Sequence, residues 1–302
     1  MDISAPKIET HNSLWKKCDI LDRNSLLKCL KQFAPTTIVH LAARTDTLGD
    51  KIEEYNVNYD GTLNIVQCGN KISSVKQVII TSTQFVHQYH GLPKDDDDYA
   101  PHTVYGESKV RAEKCVKNGK WRFAWTIIRP TNIWGPWHPR YPFEFWKTMG
   151  SGLYFHPGNE KVIRAYGYVG NVVWQIMRIL ELQDNDVNQK VFYVGDQPLN
   201  LLEWVNAFSL LQRGRKVKVI PRRLVKAIAL LGDLFSMIAV PFPLTSSRFK
   251  SMTTNNQAPM GKTFEVLGNP PYSLHDGVLE TIKWIEKYHP RLIKKTKKEM
   301  AF

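Results

Sequence analysis

The sequence predicts an α/β fold built on a doubly wound parallel sheet, and two observations support this prediction. First, short runs rich in β-branched residues alternate along the chain with longer helical patterns. Second, each run holds consecutive apolar residues instead of alternating apolar and polar ones, which is typical of parallel strands covered on both faces. The predicted strands are TTIVHLAA (36–43), VKQVIITST (75–83), FAWTIIRPTN (123–132) and KVFYVG (190–195).

Helical patterns lie before the first three predicted strands. They are NSLLKCLKQF, IEEYNVNYDGTLNIVQCGNK and the segment that contains TVYGESKVRAEK. The composition changes after Asn132, where IWGPWHPRYPFEFWKTMGSGLYFHPGN is rich in aromatic residues, proline and glycine and is predicted to form a shaped loop region. Two more helical patterns follow, VVWQIMRILEL and LLEWVNAFSLLQ.

Cysteine usage and the amino terminus indicate a cytoplasmic protein. The 302 residues include four cysteines, scattered singly, and no C-x-x-C pair. This pattern disfavours zinc ribbons and thiol redox motifs, and no metal site is expected. The first residues, MDISAPKIETHNS, have no apolar core and do not form a signal peptide.

The chain is basic, with a formal net charge of +13. Part of this excess lies near the carboxyl terminus, where residues 291–302 are predicted to be a solvated basic tail. No motif that reads DNA or RNA accompanies the charge, so nucleic acid is not an expected partner.

The segment RRLVKAIALLGDLFSMIAVPFPL (222–244) bears on the membrane question. Apolar residues recur in it at helical spacing; they are Leu224, Ile228, Leu231, Phe235 and Ile238. Asp233 interrupts the segment, so a membrane-spanning helix is not expected. A helix that packs its apolar face with a basic rim is the favoured interpretation, and the alternative is a helix that lies on a membrane surface.

Tyr105 and Lys109 form a candidate proton-transfer pair. A spacing of four places both side chains on one helix face. A free tyrosine has a pKa of about 10, and a neighbouring ammonium group favours the phenolate and lowers that pKa. Thr83 ends the preceding predicted strand, and its hydroxyl could hold the oxygen of a substrate alcohol.

Besides this pair, the chain contains several motifs whose order and spacing together resemble a known family. The motifs are CDILD, VHLAA, NVNYDGTLN, TST, YGESK, IIRPTNIWGP and LGNPPYSLHDGVLETIKW. From Asp2 to about Trp284 the chain resembles the extended short-chain dehydrogenase/reductase superfamily, in its NAD-dependent nucleotide-sugar epimerase/dehydratase branch. The resemblance implies a Rossmann-like fold, NAD as cofactor, a nucleotide sugar as substrate and a homodimer formed through the helices that include Tyr105.

The resemblance also implies roles for individual residues. Tyr105 would be the general acid and base, Lys109 would lower its pKa and bind the nicotinamide ribose, and Thr83 would complete the catalytic set. Further implied cofactor contacts are Asp2 with the adenosine ribose, Asp19 and Ile20 with the adenine, and Ala42 and Ala43 along the cofactor. Asn132 and Arg164 would bind the substrate, with Arg164 on its diphosphate.

The resemblance implies two interleaved domains. Residues 1–132 and 166–205 would form the dinucleotide-binding domain, and residues 133–165 and 206–290 a smaller substrate domain.

The sequence alone does not fix the roles of three further side chains. His40 is expected to bind a backbone group, while Trp134 and Trp137 either stack on the substrate or pack in a core.

The chain departs from the family pattern at its start, because no G-x-x-G-x-x-G turn occurs in it. About 30 residues of one βα unit are therefore expected to be encoded upstream of Met1, giving an N-terminally truncated fold in the chain as given. Without that unit, poor solubility and loss of NAD binding are expected, because the strand after APTT would lack a neighbour and the pyrophosphate its cradle.

A second departure narrows the reaction. Dehydratases of this family carry an Asp-Glu pair after the catalytic threonine, and Gln84 and Phe85 stand there instead. Dehydration is therefore not expected, and epimerisation through a keto intermediate is the first hypothesis. A dehydrogenase/reductase of the 3β-hydroxysteroid type is the second, and a non-catalytic remnant that cannot bind NAD is the third.

Overall fold

The computed structural model describes residues 1–87, 91–138, 145–182, 184–237, 242 and 244–292. Its helices are α1 (Arg23–Phe33), α2 (Asn56–Asn70), α3 (Val104–Asn118), α4 (Lys147–Ser151), α5 (Val169–Glu181), α6 (Asp184–Val187), α7 (Leu201–Arg213), α8 (Arg222–Met237), α9 (Ser246–Thr253), α10 (Gly261–Leu267) and α11 (Leu274–Tyr288). Short 3-10 helices cover Glu9–Leu14, Ile52–Tyr55, Gln84–Val86 and Pro290–Leu292.

The strands form one four-stranded sheet and three two-stranded pairs. They are β1 (Thr37–His40), β2 (Gln77–Thr81), β3 (Ala124–Pro130), β4 (Asn132–Trp134), β5 (Phe155–Pro157), β6 (Ile163–Arg164), β7 (Tyr166–Tyr168), β8 (Lys190–Val194), β9 (Leu199–Asn200) and β10 (Lys218–Ile220). The large sheet is parallel with strand order β1-β2-β3-β8. This confirms the predicted α/β class, because helices connect the successive parallel strands.

The chain divides into two compact units. The first comprises residues Met1–Thr131, Arg178–Val194 and Pro259–Gly268, and it contains the parallel sheet. The second comprises Asn132–Met177, Gly195–Ala258 and Asn269–Phe302.

The first unit has an aliphatic core between the sheet and its helices. Buried residues of α1, α2 and the sheet meet in one cluster, represented by Leu30, Val66, Val78 and Ile127. Asp22 caps α1 by accepting hydrogen bonds from the backbone N–H groups of Asn24 and Ser25. The predicted strands 75–83 and 123–132 are buried where they lie in the sheet, except for the partly exposed last residues Thr81 and Pro130, as strands covered on both faces require.

The second unit has an aromatic core. Trp134 and Trp146 are fully buried, and the ring of Trp134 lies 5.7 Å from Trp204 and 5.5 Å from Phe208. Trp134 is therefore a packing residue. Trp137 is 40% exposed, and its ring lies 4.8 Å from that of Tyr288.

Three predicted elements differ in the structure. The run 36–43 forms a strand only over Thr37–His40, and alternate residues of it are buried, because β1 lies at the edge of the sheet. The helical pattern from Ile52 begins as a 3-10 helix before α2 starts at Asn56. Residues 123–132 divide into β3 and β4, which belong to different sheets.

The favoured interpretation of the segment from Arg222 was wrong for part of its apolar face, while Ile228 packs against the cluster of Val225, Ala229 and Leu244 as expected. Leu224 and Leu231 of α8 are exposed instead of packed, and Phe235 is 41% exposed. The inward face of α8 carries small residues, Val225, Ala229 and Gly232. Ile238 and the tail from residue 293 lie outside the described residues. Among the described helices, none is long and apolar enough to cross a membrane.

Candidate active site

Tyr105 lies in the first turn of α3, and local capping fixes where that turn begins. The Thr103 side chain accepts a hydrogen bond from the Gly106 backbone N–H at 3.0 Å. The helix then continues without interruption, so Lys109 follows Tyr105 by about one turn on the same face. Both side chains are buried, with 6% of Tyr105 and 2% of Lys109 exposed.

The turn after β2 packs against the start of α3. A Cβ atom added at Gly106 would lie 2.3 Å from the carbonyl oxygen of Phe85, so only glycine permits this approach. The Phe85 ring lies edge-on to the Tyr105 ring at 6.2 Å. Thr83 caps the same turn, accepting a hydrogen bond from the Phe85 N–H at 3.3 Å. The structure therefore places the turn that begins at Thr83 beside the helix turn that carries Tyr105.

Lys109 is a buried cation. Its Nζ donates a hydrogen bond to the carbonyl oxygen of Thr81, at the carboxyl end of β2, at 2.8 Å. Burial lowers the pKa of Lys109 from 10.5 to about 8, while the negative charge of Glu113 acts in the opposite direction. The ammonium form therefore persists at neutral pH and can favour a phenolate at Tyr105.

His40 is neutral and serves the structure. Burial and the charge of Lys109 lower the pKa of His40 from 6.5 to about 3. Its Nε2 lies 3.1 Å from Thr62 Oγ1, and that hydroxyl donates its own hydrogen to the Asn58 carbonyl. Nε2 must therefore carry the hydrogen that Thr62 accepts. The prediction of a backbone partner for His40 was wrong in this respect, because the partner is a side-chain hydroxyl.

Asn58 was missed by the sequence reasoning and organises the segment after β1. Its Nδ2 donates to the Arg44 carbonyl and to Ser108 Oγ, both at 2.9 Å, and its Oδ1 accepts from the Arg44 N–H at 2.8 Å. These bonds join the segment that contains Ala42 and Ala43 to α2 and α3. Asn58 is the second asparagine of the sequence motif NVNYDGT. A buried asparagine with a full set of partners typically holds a loop in place.

The candidate adenosine contacts lie at the start of the chain. Asp2 is exposed, and its backbone pairs with the segment around Lys17, with the Cys18 N–H donating to the Asp2 carbonyl at 3.2 Å. This brings Asp2 beside the residue that precedes Asp19. Asp19 accepts from the Leu21 N–H, and the Ile20 side chain packs against Gly61 of α2.

The two candidate substrate residues are neighbours within the second unit. The Asn132 N–H donates to the Ala165 carbonyl at 3.2 Å, and Arg164 precedes that residue. Arg164 is 8% exposed, and its Nη1 donates to the carbonyls of Ser251 and Thr254 at 3.2 and 3.1 Å. Its Nε is a buried donor with no hydrogen-bond partner among the described residues, and its guanidinium carbon lies 5.8 Å from the centre of the Tyr166 ring. A buried donor without a partner requires an explanation, and a bound ligand would supply one.

The described residues fit the nicotinamide-ribose half of a dinucleotide. At the carboxyl end of β2, Thr81 Oγ1 and Ser82 Oγ are buried without hydrogen-bond partners in the described chain. Lys109 reaches the same strand end through its bond to Thr81. Ligands of doubly wound sheets bind at this edge, and ribose hydroxyls can satisfy such groups. No cluster of three metal-ligating side chains occurs in the parts of the chain that the structure describes.

Gln84 occupies the position expected of a dehydratase carboxylate. Its side-chain amide is buried, and neither its oxygen nor its nitrogen has a partner within the described ranges. An amide cannot exchange protons as a carboxylate does. Gln84 therefore cannot serve as the acid or the base of a dehydration.

A buried tyrosine and lysine on one helix face, at the carboxyl end of a doubly wound parallel sheet, define an enzyme of the dinucleotide-dependent oxidoreductase class. The sequence profile of the NAD dependent epimerase/dehydratase family matches residues 4–195. The chain belongs to this family and is an NAD-dependent enzyme.

Relatives in sequence include an epimerase and a sterol dehydrogenase. The chain is 27% identical over 283 residues to the N-acetyl-α-D-glucosaminyl-diphospho-ditrans,octacis-undecaprenol 4-epimerase of Escherichia coli O157:H7, covering 88% of this chain and 82% of the relative. It is 27% identical over 192 residues to the decarboxylating sterol-4-α-carboxylate 3-dehydrogenase of Homo sapiens, covering 60% of this chain and 51% of the relative.

Solved structures share the fold. The UDP-glucose 4-epimerase of Thermotoga maritima, determined with UDP-glucose, superposes with a TM-score of 0.68 at 20% identity, covering 94% of this chain and 89% of that chain. The UDP-glucuronic acid 4-epimerase of Bacillus cereus, determined with UDP-glucuronic acid and NAD, gives a TM-score of 0.65 at 18% identity, covering 90% and 81%.

Proposed function

We propose that the protein is an NAD-dependent epimerase of a nucleotide sugar, with Tyr105, Lys109 and Thr83 as its catalytic residues. The observation that carries the proposal is the buried ammonium group of Lys109, held at the strand end one helix turn from Tyr105. A buried lysine charge is destabilising unless it is paired and hydrogen-bonded, so its retention beside Tyr105 supports a functional role, which is to lower the pKa of Tyr105.

Tyr105 moves the proton in both halves of the reaction. As phenolate it takes the proton of a sugar hydroxyl, and as phenol it returns the proton when the ketone is reduced. When bound, NAD supplies the hydride acceptor and donor for the same carbon. Thr83 holds the hydroxyl oxygen by a hydrogen bond, and Lys109 keeps Tyr105 ionised between turnovers. Inversion at carbon requires the ketone to present its other face before reduction.

Cofactor and substrate groups are assigned to the remaining predicted residues. Lys109 binds the nicotinamide ribose, Asp2 the adenosine ribose, Asp19 and Ile20 flank the adenine, and Ala42 and Ala43 line the cofactor. Asn132 and Arg164 bind the substrate. The unpartnered Nε of Arg164 supports a role in binding an anion such as a diphosphate.

A hydroxysteroid or sterol dehydrogenase is the second candidate, because sterol dehydrogenases are among the relatives of this chain. Both candidates oxidise an alcohol to a ketone through the same Tyr-Lys pair. An epimerase reduces the ketone again, whereas a dehydrogenase releases it. Epimerisation leaves no net NADH, while dehydrogenation accumulates it.

A substrate panel separates the two candidates. Protein that binds NAD is incubated with UDP- and dTDP-hexoses, with a polyprenyl-diphosphate N-acetylhexosamine and with a 3β-hydroxysteroid. Products are identified by NMR and NADH by absorbance. Interconversion of sugar epimers without NADH accumulation is the expected result, and steroid turnover alone would exclude the epimerase.

The proposal includes a cytoplasmic homodimer. All four cysteines are free thiols, which fits a reducing compartment. Residues of α2 and α3, including Tyr59 and Arg111, line a cavity of about 220 Å³ that a second copy could fill. Light scattering of the wild type and of Arg111→Glu tests the dimer, which the substitution is expected to weaken.

A further inference from the structure

The outward face of α8 is apolar, which is the reverse of the usual orientation of a surface helix. Leu224, Leu231 and Leu234 recur at spacings of seven and three, and between 52 and 60% of each is exposed. Ala227, Leu230 and Phe235 extend this face, and each is exposed as well. A single exposed leucine needs no explanation, but a continuous stripe of six apolar residues on one helix does.

α8 has a second face that packs against its own unit, so the exposed stripe is not the packing face of the helix. Val225 and Ala229 are fully buried in a small cluster with Leu244. A Cβ atom added at Gly232 would lie 1.9 Å from the Leu244 carbonyl oxygen, so the helix needs glycine to pack this closely. Val225, Ile228, Ala229 and Gly232 therefore hold the helix against its unit, while its four leucines are 52 to 60% exposed and Phe235, 41% exposed, stacks on Phe242 at 5.5 Å.

The one acidic residue of α8 is directed away from the stripe. Asp233 Oδ1 accepts a hydrogen bond from the Ser246 N–H at 3.0 Å, at the start of α9. Hydrogen bonding to Ser246 lowers the pKa of Asp233. Its carboxylate thus belongs to the contact with α9, and the exposed face has no negative side chain of its own.

A strongly basic segment leads into the stripe. Residues 213–226 contain seven basic residues and no acidic one: Arg213, Arg215, Lys216, Lys218, Arg222, Arg223 and Lys226. Four of them line a cavity of about 60 Å³ that is large enough for a small anionic group. The charge is complementary to a surface rich in anionic lipid headgroups.

We infer that α8 and the basic segment 213–226 together form a docking surface for an anionic phospholipid bilayer. The exposed side chains of α8 enter the interface between headgroups and acyl chains, and the basic residues bind the phosphates. Stable peripheral binding requires two signals, an apolar insertion and an electrostatic attraction, and this part of the chain supplies both. The inference stands independently of the reaction proposed above, because it uses none of the catalytic residues.

Vesicle flotation tests the docking surface in the full chain. Vesicles of phosphatidylcholine with phosphatidylglycerol are expected to bind the wild type, and vesicles of phosphatidylcholine alone to bind it at least tenfold more weakly. The double variant Leu231→Gln, Leu234→Gln removes apolar area without changing charge, and its partition coefficient is expected to fall more than tenfold. Its control is Leu14→Gln, Leu48→Gln, at two leucines that are 83 and 84% exposed elsewhere.

A second pair of variants tests the charge. Arg215→Gln, Lys216→Gln is expected to lower the partition coefficient about 25-fold, at roughly fivefold per basic residue. Lys28→Gln, Lys31→Gln on α1 makes the same change in net charge and is expected to have less than a twofold effect. Circular dichroism and thermal midpoints confirm that each variant is folded.

Three outcomes would overturn the inference. One is a wild type that does not bind anionic vesicles, and another is a leucine variant that binds them as the wild type does. The third is a leucine variant that changes from dimer to monomer in light scattering while its vesicle binding is unchanged. That result would assign the stripe to a contact between copies of the chain.

Discussion

Lys109 is the residue on which the site depends most, because its charge is buried and must be stabilised by the fold. It is a cation at neutral pH, its Nζ donates to the Thr81 carbonyl, and the carboxylate of Glu113 lies one helix turn further on. The spacing of Tyr105 and Lys109 was visible in the sequence. The complete burial of the lysine was not, because it depends on the packing of α3 against β2.

The first prediction concerns stability and pH. Because the pKa of Lys109 falls from 10.5 unfolded to about 8 folded, the unfolded chain binds more protons between those values, and stability rises with pH there. Below pH 8 the buried charge costs up to about 3 kcal/mol. Lys109→Met is therefore expected to stabilise the cofactor-free protein at pH 7 and to lose that advantage by pH 10.5.

Urea unfolding at several pH values measures this difference. The control is Lys120→Met, at an exposed position near the end of α3. A stability difference between Lys109→Met and the wild type that does not change between pH 7 and 10.5 would contradict the burial of a charged lysine.

The second prediction concerns Arg164. Loss of charge-assisted hydrogen bonds costs about 1.5–3 kcal/mol, so Arg164→Ala is expected to raise the KM for the nucleotide sugar at least about tenfold. NAD affinity should not change. Arg178→Ala is the control, since Arg178 lies on α5 and pairs with Glu181 at the surface. An unchanged KM, accompanied by a lower thermal midpoint, would show that Arg164 only holds the carbonyls of Ser251 and Thr254.

At the scale of elements, α3 is fixed by close packing at one end and by a buried ion pair further along. Gly106 gives the third prediction. Alanine is a better helix former than glycine by about 1 kcal/mol, but its Cβ would overlap the Phe85 carbonyl. Gly106→Ala is expected to destabilise the protein by about 1–3 kcal/mol and to lower turnover, because the start of α3 must move. Gly261→Ala, where a Cβ meets no atom within 4 Å, is the control, and equal effects would contradict the account.

The fourth prediction concerns Glu113, which is fully buried. Arg129 donates to both of its carboxylate oxygens, at 2.9 and 2.7 Å, and Tyr99 donates to one at 2.9 Å. Breaking a buried pair leaves an uncompensated charge, so Glu113→Gln is expected to cost about 3–5 kcal/mol in urea unfolding.

The exposed pair of Glu107 and Arg111 on the same helix is the control for Glu113. Glu107→Gln is expected to cost less than about 1 kcal/mol. If the two substitutions lowered the free energy of unfolding by similar amounts, the buried pair of Glu113 would be no more important for stability than the exposed pair. The sequence contained no signal for the partnership of Glu113 and Arg129, because the two residues are close only through the packing of α3 on β3.

Prediction from sequence succeeded for elements whose hydrophobic pattern is unambiguous. Strands β2 and β3 contain consecutive apolar residues and are buried on both faces except at their last residues, and the pattern indicates this directly. The short strands β6 and β9 have two residues each and cannot show a period. For α8 the helical spacing was correct, and Ile228 packs inward as predicted. Leu224 and Leu231 are exposed instead, because spacing does not indicate whether a stripe faces a core or solvent.

At the scale of the whole molecule, the chain combines a parallel-sheet unit with the Tyr-Lys pair and a second unit with an aromatic core and a strongly basic surface segment. The net charge of +13 is concentrated in part on residues 213–226. The family is established for residues 4–195. Site residues from both units stay predictions that substitutions can test.

The most direct test of the central claim is turnover by Tyr105→Phe, in protein that binds NAD. The substitution removes only the hydroxyl that carries the proton, so NAD affinity measured by calorimetry should stay nearly unchanged. Epimerisation of the nucleotide sugar should fall by at least about 10²-fold, the usual minimum for loss of a general acid/base. Tyr288→Phe, at a tyrosine of α11 that is 46% exposed, is the control. Turnover by Tyr105→Phe at the wild-type rate would contradict the account.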